Sequence, residues 1–235
     1  MKILFTGSRG YCGGAMVQAL LEEGHEVVGL DISPLPDGYR DQAKHREIQG
    51  DITDPQLLFS LLEGCQAVVH AAISRYIPAE PRRPGDPLQD NHIQHYEANV
   101  IGTVNLLEAA RQRNVRQFVL ISSTAVVLGH LVGPDNSVYE FRVDAHTPPN
   151  FQGPYSFVKY LQEQLCEFYA RTYGLSVTVG VAALLGGGWP FWPHQGRHTP
   201  VGTGGVVSLR AHRGCGPLRS GRGLPSGFAA SRHRL

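Results

Sequence analysis

Residues 6–14 read Thr-Gly-Ser-Arg-Gly-Tyr-Cys-Gly-Gly, and they join two segments of different periodicity. Before them, Lys2–Phe5 is a short apolar run suited to a strand. After them, Tyr11–Glu23 places Ala15, Val17, Ala19, Leu20 and Leu21 at helical spacing and stops at Gly24. A strand that turns through glycines into a helix opens a strand–helix–strand unit. Outward from it, Glu26–Leu30 predicts a second strand, Arg46–Gln49 a short third and Ala67–Ala72 a fourth. Gln117–Ser122 predicts a fifth and Leu175–Val179 a sixth. Helices are predicted from Asp54-Pro55 to Glu63, over Tyr96–Gln112 and over Pro154–Tyr173.

Strand–helix alternation at this spacing predicts an α/β fold, a Rossmann-type doubly wound parallel sheet with helices on both faces. The fourth segment is apolar on both faces, as a buried parallel strand requires. Ser74–Asp90, with four prolines, and Leu128–Gln152 are irregular. Both follow strands at the carboxyl edge of the sheet, where open α/β folds bind their ligands.

The turn has the spacing G-x-x-G-x-x-G. Gly7 suits the tight turn, Gly10 a close backbone approach to a pyrophosphate, and Gly13 close packing of helix on strand. The helix that follows offers unpaired N–H groups and a partial positive charge to phosphate. Asp31 closes the second strand, 18 residues beyond Gly13, where a carboxylate can hold the adenosine ribose hydroxyls. That predicts NAD as cofactor. Arg9, inside the turn, keeps NADP open because it could reach a 2′-phosphate.

Tyr155 and Lys159 are four residues apart on a predicted helix and share one face. A free phenol titrates near pH ~10 and is a poor base at neutrality; lowering it by about three units takes roughly 4 kcal/mol of differential stabilisation. A neighbouring ammonium and an oxidised nicotinamide can supply this, letting Tyr155 exchange a proton with a substrate oxygen while hydride moves. The hydroxyls of Ser122, Ser123 and Thr124 end the fifth strand and can orient that oxygen.

These segments resemble the extended short-chain dehydrogenase/reductases of the NAD-dependent epimerase/dehydratase family. The matching stretches are TGSRGYCGG at 6–14, GDITD at 50–54, HAA at 70–72, EANVIGTVNLLEAA at 97–110, ISSTAVVLG at 121–129 and PYSFVK at 154–159, in family order. The resemblance implies Thr124, Tyr155 and Lys159 as the catalytic set. It implies cofactor contacts from Gly7, Gly10, Tyr11, Gly13 and Asp31, and from Asp51 and Ile52 at the adenine. Ala71 and Ala72 would line the channel, Asn99 would lie on the nicotinamide side, and Ser122, Tyr155 and Lys159 would complete the set. Many sugar-nucleotide members have Tyr where this chain has Leu128, a departure that weakens a nucleotide-sugar assignment. The resemblance also implies a homodimer through the helices at 96–112 and 154–173.

Of the 235 residues, 42% are hydrophobic and 17% charged, which excludes wholesale disorder. The net charge of +1 conceals a division. Gly180–Leu235 holds seven Arg, no Lys and no acidic residue, so +7; residues 1–179 hold 14 basic and 20 acidic residues, so −6. Residues 1–179 are therefore expected to form the NAD(P)-binding domain, and 180–235 an irregular basic Gly/Arg/Pro-rich tail with the substrate domain missing or degenerate. A segment without acid or Lys is unusual enough that a frame-altered sequence is the reading favoured over a basic tail binding an acidic partner. Four scattered cysteines, no signal-peptide pattern and no long apolar run predict a cytoplasmic protein with no membrane contact. Arg82-Arg83 reads as a solvated loop tip, and His92 and His95 lack companions for a metal. Phe168, Tyr169 and Tyr173 read as packing rather than a nucleic-acid platform. Two functions remain: an oxidoreductase that epimerises, dehydrates or oxidises a hydroxyl-bearing small molecule such as a nucleotide sugar, steroid or alcohol, and a catalytically silent dinucleotide-binding module.

Overall fold

The computed structural model describes residues 1–10, 12–74, 92–130, 147–151, 153–182 and 206–212; Tyr11 lies outside them. Seven strands form one sheet: β1 (Lys2–Thr6), β2 (Glu26–Asp31), β3 (His45–Gln49), β4 (Ala67–His70), β5 (Gln117–Ser123), β6 (Val177–Ala182) and β7 (Val206–His212). Their order is β3-β2-β1-β4-β5-β6-β7. The first six are parallel, as the alternation predicts, and β7 is antiparallel to β6. The chain leaves β1 toward β2 on one side and later returns to β4 on the other, so the carboxyl ends of β1 and β4 flank the switch point.

Alternation along β1 sends successive side chains to opposite faces. Leu4 joins the larger core with Val28, Val68, Leu106, Phe118 and Leu120. Phe5 joins a smaller one with Val17 and Val27 beneath α1 (Gly13–Glu22). The larger core is covered by α2 (Pro55–Leu61), α4 (Gly102–Gln112) and α5 (Gly153–Tyr173). Asp54 caps α2, accepting from the N–H groups of Gln56 and Leu57 at 3.0 Å each, with Pro55 in the first turn.

Three expectations are corrected. The helix predicted over Tyr96–Gln112 starts earlier and is not uniform: α3 (His92–Tyr96) runs into a π-helical turn, Glu97–Ile101, before α4. The boundary at residue 179 falls inside β6, which continues to Ala182 because Gly180, Val181 and Ala182 pair with Ile121, Ser122 and Ser123. Residues 206–212, in the segment expected to be irregular, form β7 against β6. The remaining described elements agree with the predicted ones within a few residues at their ends.

Candidate functional site

The glycine turn sits at the switch point. Gly7 has φ +78°, a conformation that excludes ordinary side chains, and its N–H donates to the Leu30 carbonyl at 2.7 Å. A Cβ there would come within 2.6 Å of the Ala72 backbone nitrogen, so Ala71 and Ala72 border the turn directly. A Cβ on Gly13 would overlap the Gly7 carbonyl oxygen, and one on Gly10 would lie 3.1 Å from that same atom. The turn therefore closes on itself through backbone alone. Behind it α1 starts at Cys12 with no side-chain cap and no acidic residue in its first turn. This is a backbone cradle with helix N–H groups left for an anion, and it fits the pyrophosphate of a dinucleotide.

Asp31 ends β2 beside this cradle and is 9% exposed. Its carboxylate accepts from the N–H groups of Arg9 and Ser33, each at 2.9 Å. The Arg9 guanidinium does not stand free: it donates to Glu47 at 2.9 Å, to the Asp31 carbonyl at 3.1 Å and to the Ser33 carbonyl. Asp51 accepts from the Thr53 N–H at 2.9 Å. Ile52 is packed into the core against Gly102, where a Cβ would come within 2.6 Å of it.

At the other side of the switch point, β5 ends in Ser123 and runs into a 3-10 turn that Thr124 begins. Tyr155 lies in the first turn of α5 and is 39% exposed. Lys159, one turn deeper, is buried, and its ammonium donates to the Ile121 carbonyl at 2.8 Å. Burial lowers its pKa to about 8, partly offset by the nearby Glu163 carboxylate and Cys166. Ser122 is buried and donates to Glu163 at 2.5 Å. Residues 155, 159 and 163 thus continue one face of α5 from the surface inward. The missed member is Glu163, whose signal was one further step of the spacing that joins Tyr155 to Lys159.

Asn99 is fully buried in the π-helical turn. Its side chain accepts from the Ser74 N–H at 2.7 Å and donates to the Ser74 carbonyl at 2.9 Å, pinning the chain that leaves β4. Beneath it lies a buried polar chain. Thr103 gives its proton to the Asn99 carbonyl at 2.5 Å. Its oxygen is therefore the acceptor for His70 Nε2–H at 2.9 Å, which leaves His70 Nδ1 to accept from Thr6 at 2.7 Å. Gln162 of α5 donates to Thr103 at 2.9 Å and to the Asn99 carbonyl at 3.1 Å. His70 is neutral: burial first, then the Lys159 charge, pulls its pKa down to about 3. Because the unfolded chain binds that proton more readily, the stability is complete above about pH 6.5 and is lost as pH falls toward 3. Urea unfolding is expected to lose about 2 kcal/mol on moving from neutrality to about pH 5, and a His70→Gln variant is expected to lose that component.

Among the described residues there is no cluster of three or more potential metal ligands, and no helix is long and apolar enough to cross a membrane. Cys12, Cys65 and Cys166 are free thiols; burial raises the Cys166 pKa to about 12.

Residues 3–201 match the model of the NAD dependent epimerase/dehydratase family. The chain is 30% identical over 182 residues to a UDP-glucose 4-epimerase of Lactobacillus helveticus, covering 76% of this chain and 50% of that protein. It is 32% identical over 186 residues to a dTDP-glucose 4,6-dehydratase of Mycobacterium tuberculosis, covering 76% and 52%. Among solved structures, a short-chain dehydrogenase/reductase superfamily protein of Agrobacterium tumefaciens with bound NAD is 31% identical with a TM-score of 0.58, covering 76% of this chain and 48% of that one. The chain spans about half the length of the curated relatives it matches.

Proposed function

The chain belongs to the NAD dependent epimerase/dehydratase family, and from that premise we propose that it is an NAD-dependent oxidoreductase acting on a hydroxyl-bearing small molecule, with a nucleotide sugar as first choice. The observation that carries this reading is the placement, on two sides of one switch point, of a backbone anion cradle and of the Tyr155–Lys159 face of α5. Gly7, Gly10, Gly13 and the start of α1 would hold the pyrophosphate; Tyr11, a contact that the family resemblance implies, lies outside the described residues. Asp31 takes the ribose hydroxyls; Asp51 and Ile52 flank the adenine; Ala71, Ala72, Asn99 and Ser122 shape the channel toward the nicotinamide. The bound dinucleotide supplies a two-electron hydride acceptor. Thr124 donates a hydrogen bond to the substrate oxygen, and Tyr155 exchanges its phenolic proton with that oxygen. Lys159, held beneath, stabilises the phenolate and reaches the cofactor ribose. Redox-neutral epimerisation, dehydration and net oxidation all begin from this arrangement, and substrate choice among them lies with residues outside it.

The relatives' names choose the assay. UDP-glucose, dTDP-glucose, a hydroxysteroid and a simple secondary alcohol are each supplied with NAD, and both reduced nicotinamide and changed sugar are measured. Turnover on a sugar nucleotide supports the reading; NAD binding without turnover on any of them supports the silent dinucleotide-binding module instead. Titration of Lys159 gives a further expectation. As pH rises past about 8 the ammonium is lost and NAD affinity falls. In a Glu163→Gln variant the offsetting carboxylate is gone, so the fall begins at lower pH. Coincident NAD-affinity profiles for the two proteins would remove Glu163 from this role.

The buried thiols suit a reducing compartment, and we place the protein in the cytoplasm on that basis. The homodimer through the helices at 96–112 and 154–173 is part of the same proposal. It is supported by the exposure of Ile101 and Phe168, 52% and 51%, and by an apolar groove that Tyr96, Val100, Ile101 and Leu161 help to line.

A further inference from the structure

Glu47 stands in β3 opposite Gly29 of β2, and its side chain is 6% exposed. It does not stay over its own strand. The three nearest atoms that a Cβ on Gly29 would meet are the carboxyl atoms of Glu47, all at overlapping distance, so the side chain crosses β2 through space that only glycine leaves open. On the far side it reaches the glycine turn. Its Oε2 accepts from Ser8 Oγ at 2.6 Å and from the Arg9 guanidinium at 2.9 Å. His45 Nε2 lies 2.8 Å from Oε1, and the Glu47 N–H donates to the Tyr39 hydroxyl at 2.9 Å.

The consequence falls on Arg9. It is the cation of the turn, and a 2′-phosphate on the adenosine ribose would need it. Here Nη1 is spent on a buried carboxylate, Nη2 donates to the carbonyls of Asp31 and Ser33, and Nε is buried. Asp31, Glu47 and Arg9 together carry one net negative charge. A phosphate dianion arriving at Asp31 meets two carboxylates and a guanidinium that is already engaged, whereas ribose hydroxyls can donate to Asp31.

We propose that Glu47 determines cofactor specificity: by drawing Arg9 across β2 it makes the adenosine end of the site select NAD against NADP, and Gly29 is the residue that lets it cross. This rests on the dinucleotide reading above. The sequence predicts NAD and lets Arg9 keep NADP open; the side-chain geometry argues against that second choice.

Calorimetric titration of the intact chain with NAD and with NADP tests it. The wild type is expected to prefer NAD by at least about tenfold. Glu47→Gln is expected to narrow the preference by about tenfold or more, and adding Arg9→Ala is expected to cancel that gain in NADP affinity. Gly29→Ala covers the case in which Glu47→Gln does not fold, because it displaces only the end of a flexible side chain and should narrow the preference in the same direction. A Glu47 that merely braces the fold would weaken both dinucleotides alike; an unchanged ratio in the variants, with both still binding, overturns the proposal alone. A wild type that binds neither dinucleotide overturns the functional reading and this inference with it.

Discussion

Tyr155→Phe is expected to reduce turnover by about 10²- to 10⁴-fold while NAD affinity changes little. The substitution deletes one oxygen and keeps the ring. The side chain sits in the first turn of α5 and is 39% exposed, so the fold loses little with it. In the proposed mechanism, what goes is the proton that the substrate oxygen would exchange as hydride moves. Thr124 would still orient that oxygen and Lys159 would still hold the ribose, so the loss is expected in turnover rather than in binding. Comparable turnover by the variant would remove Tyr155 from the chemistry and leave the site as a dinucleotide holder.

Gly13→Ala is expected to weaken NAD binding by about a hundredfold or more and to destabilise the chain by about 1–3 kcal/mol. The added methyl would overlap the carbonyl oxygen of Gly7 and come within 2.8 Å of that of Ser8, both backbone atoms of the turn itself. Neither can withdraw as a side-chain tip can. The turn must open, and opening it misplaces the N–H groups that would meet the pyrophosphate. Gly14→Ala is the contrasting variant. Its methyl would come no nearer than 4.0 Å to the Ser8 carbonyl, and alanine favours the helix there, so a stabilisation of about 0.5–1 kcal/mol is expected. Thermal unfolding of the two variants and NAD titration of the first check both statements.

The parts of the fold that were readable are those written in local pattern. β1, the glycine turn and α1 could be placed because apolar alternation, glycine spacing and helical periodicity lie within some twenty residues of one another. The Tyr155–Lys159 face could be placed for the same reason. What escaped was set by partners far along the chain. Glu47 looks like an ordinary polar residue on a short strand; its significance comes from Gly29, Ser8 and Arg9, which the sheet brings beside it. The π-helical turn at Glu97–Ile101 inserts within a continuous helical pattern, and the reason Asn99 is there is Ser74, 25 residues earlier. His70 reads as one residue of an apolar strand, yet it carries the polar chain from Thr6 to Thr103. β7 was missed because Val206–His212 lies in a Gly- and Arg-rich stretch whose composition masked the pairing with β6.

Backbone hydrogen exchange of the intact chain, with and without saturating NAD, reads out where the dinucleotide sits. Protection is expected to concentrate in the turn from Gly7 through the first residues of α1, at the end of β2 around Asp31, and at Ala71 and Ala72 after β4. Unchanged exchange at all of these positions under saturating NAD, or protection confined to some other part of the chain, would contradict it.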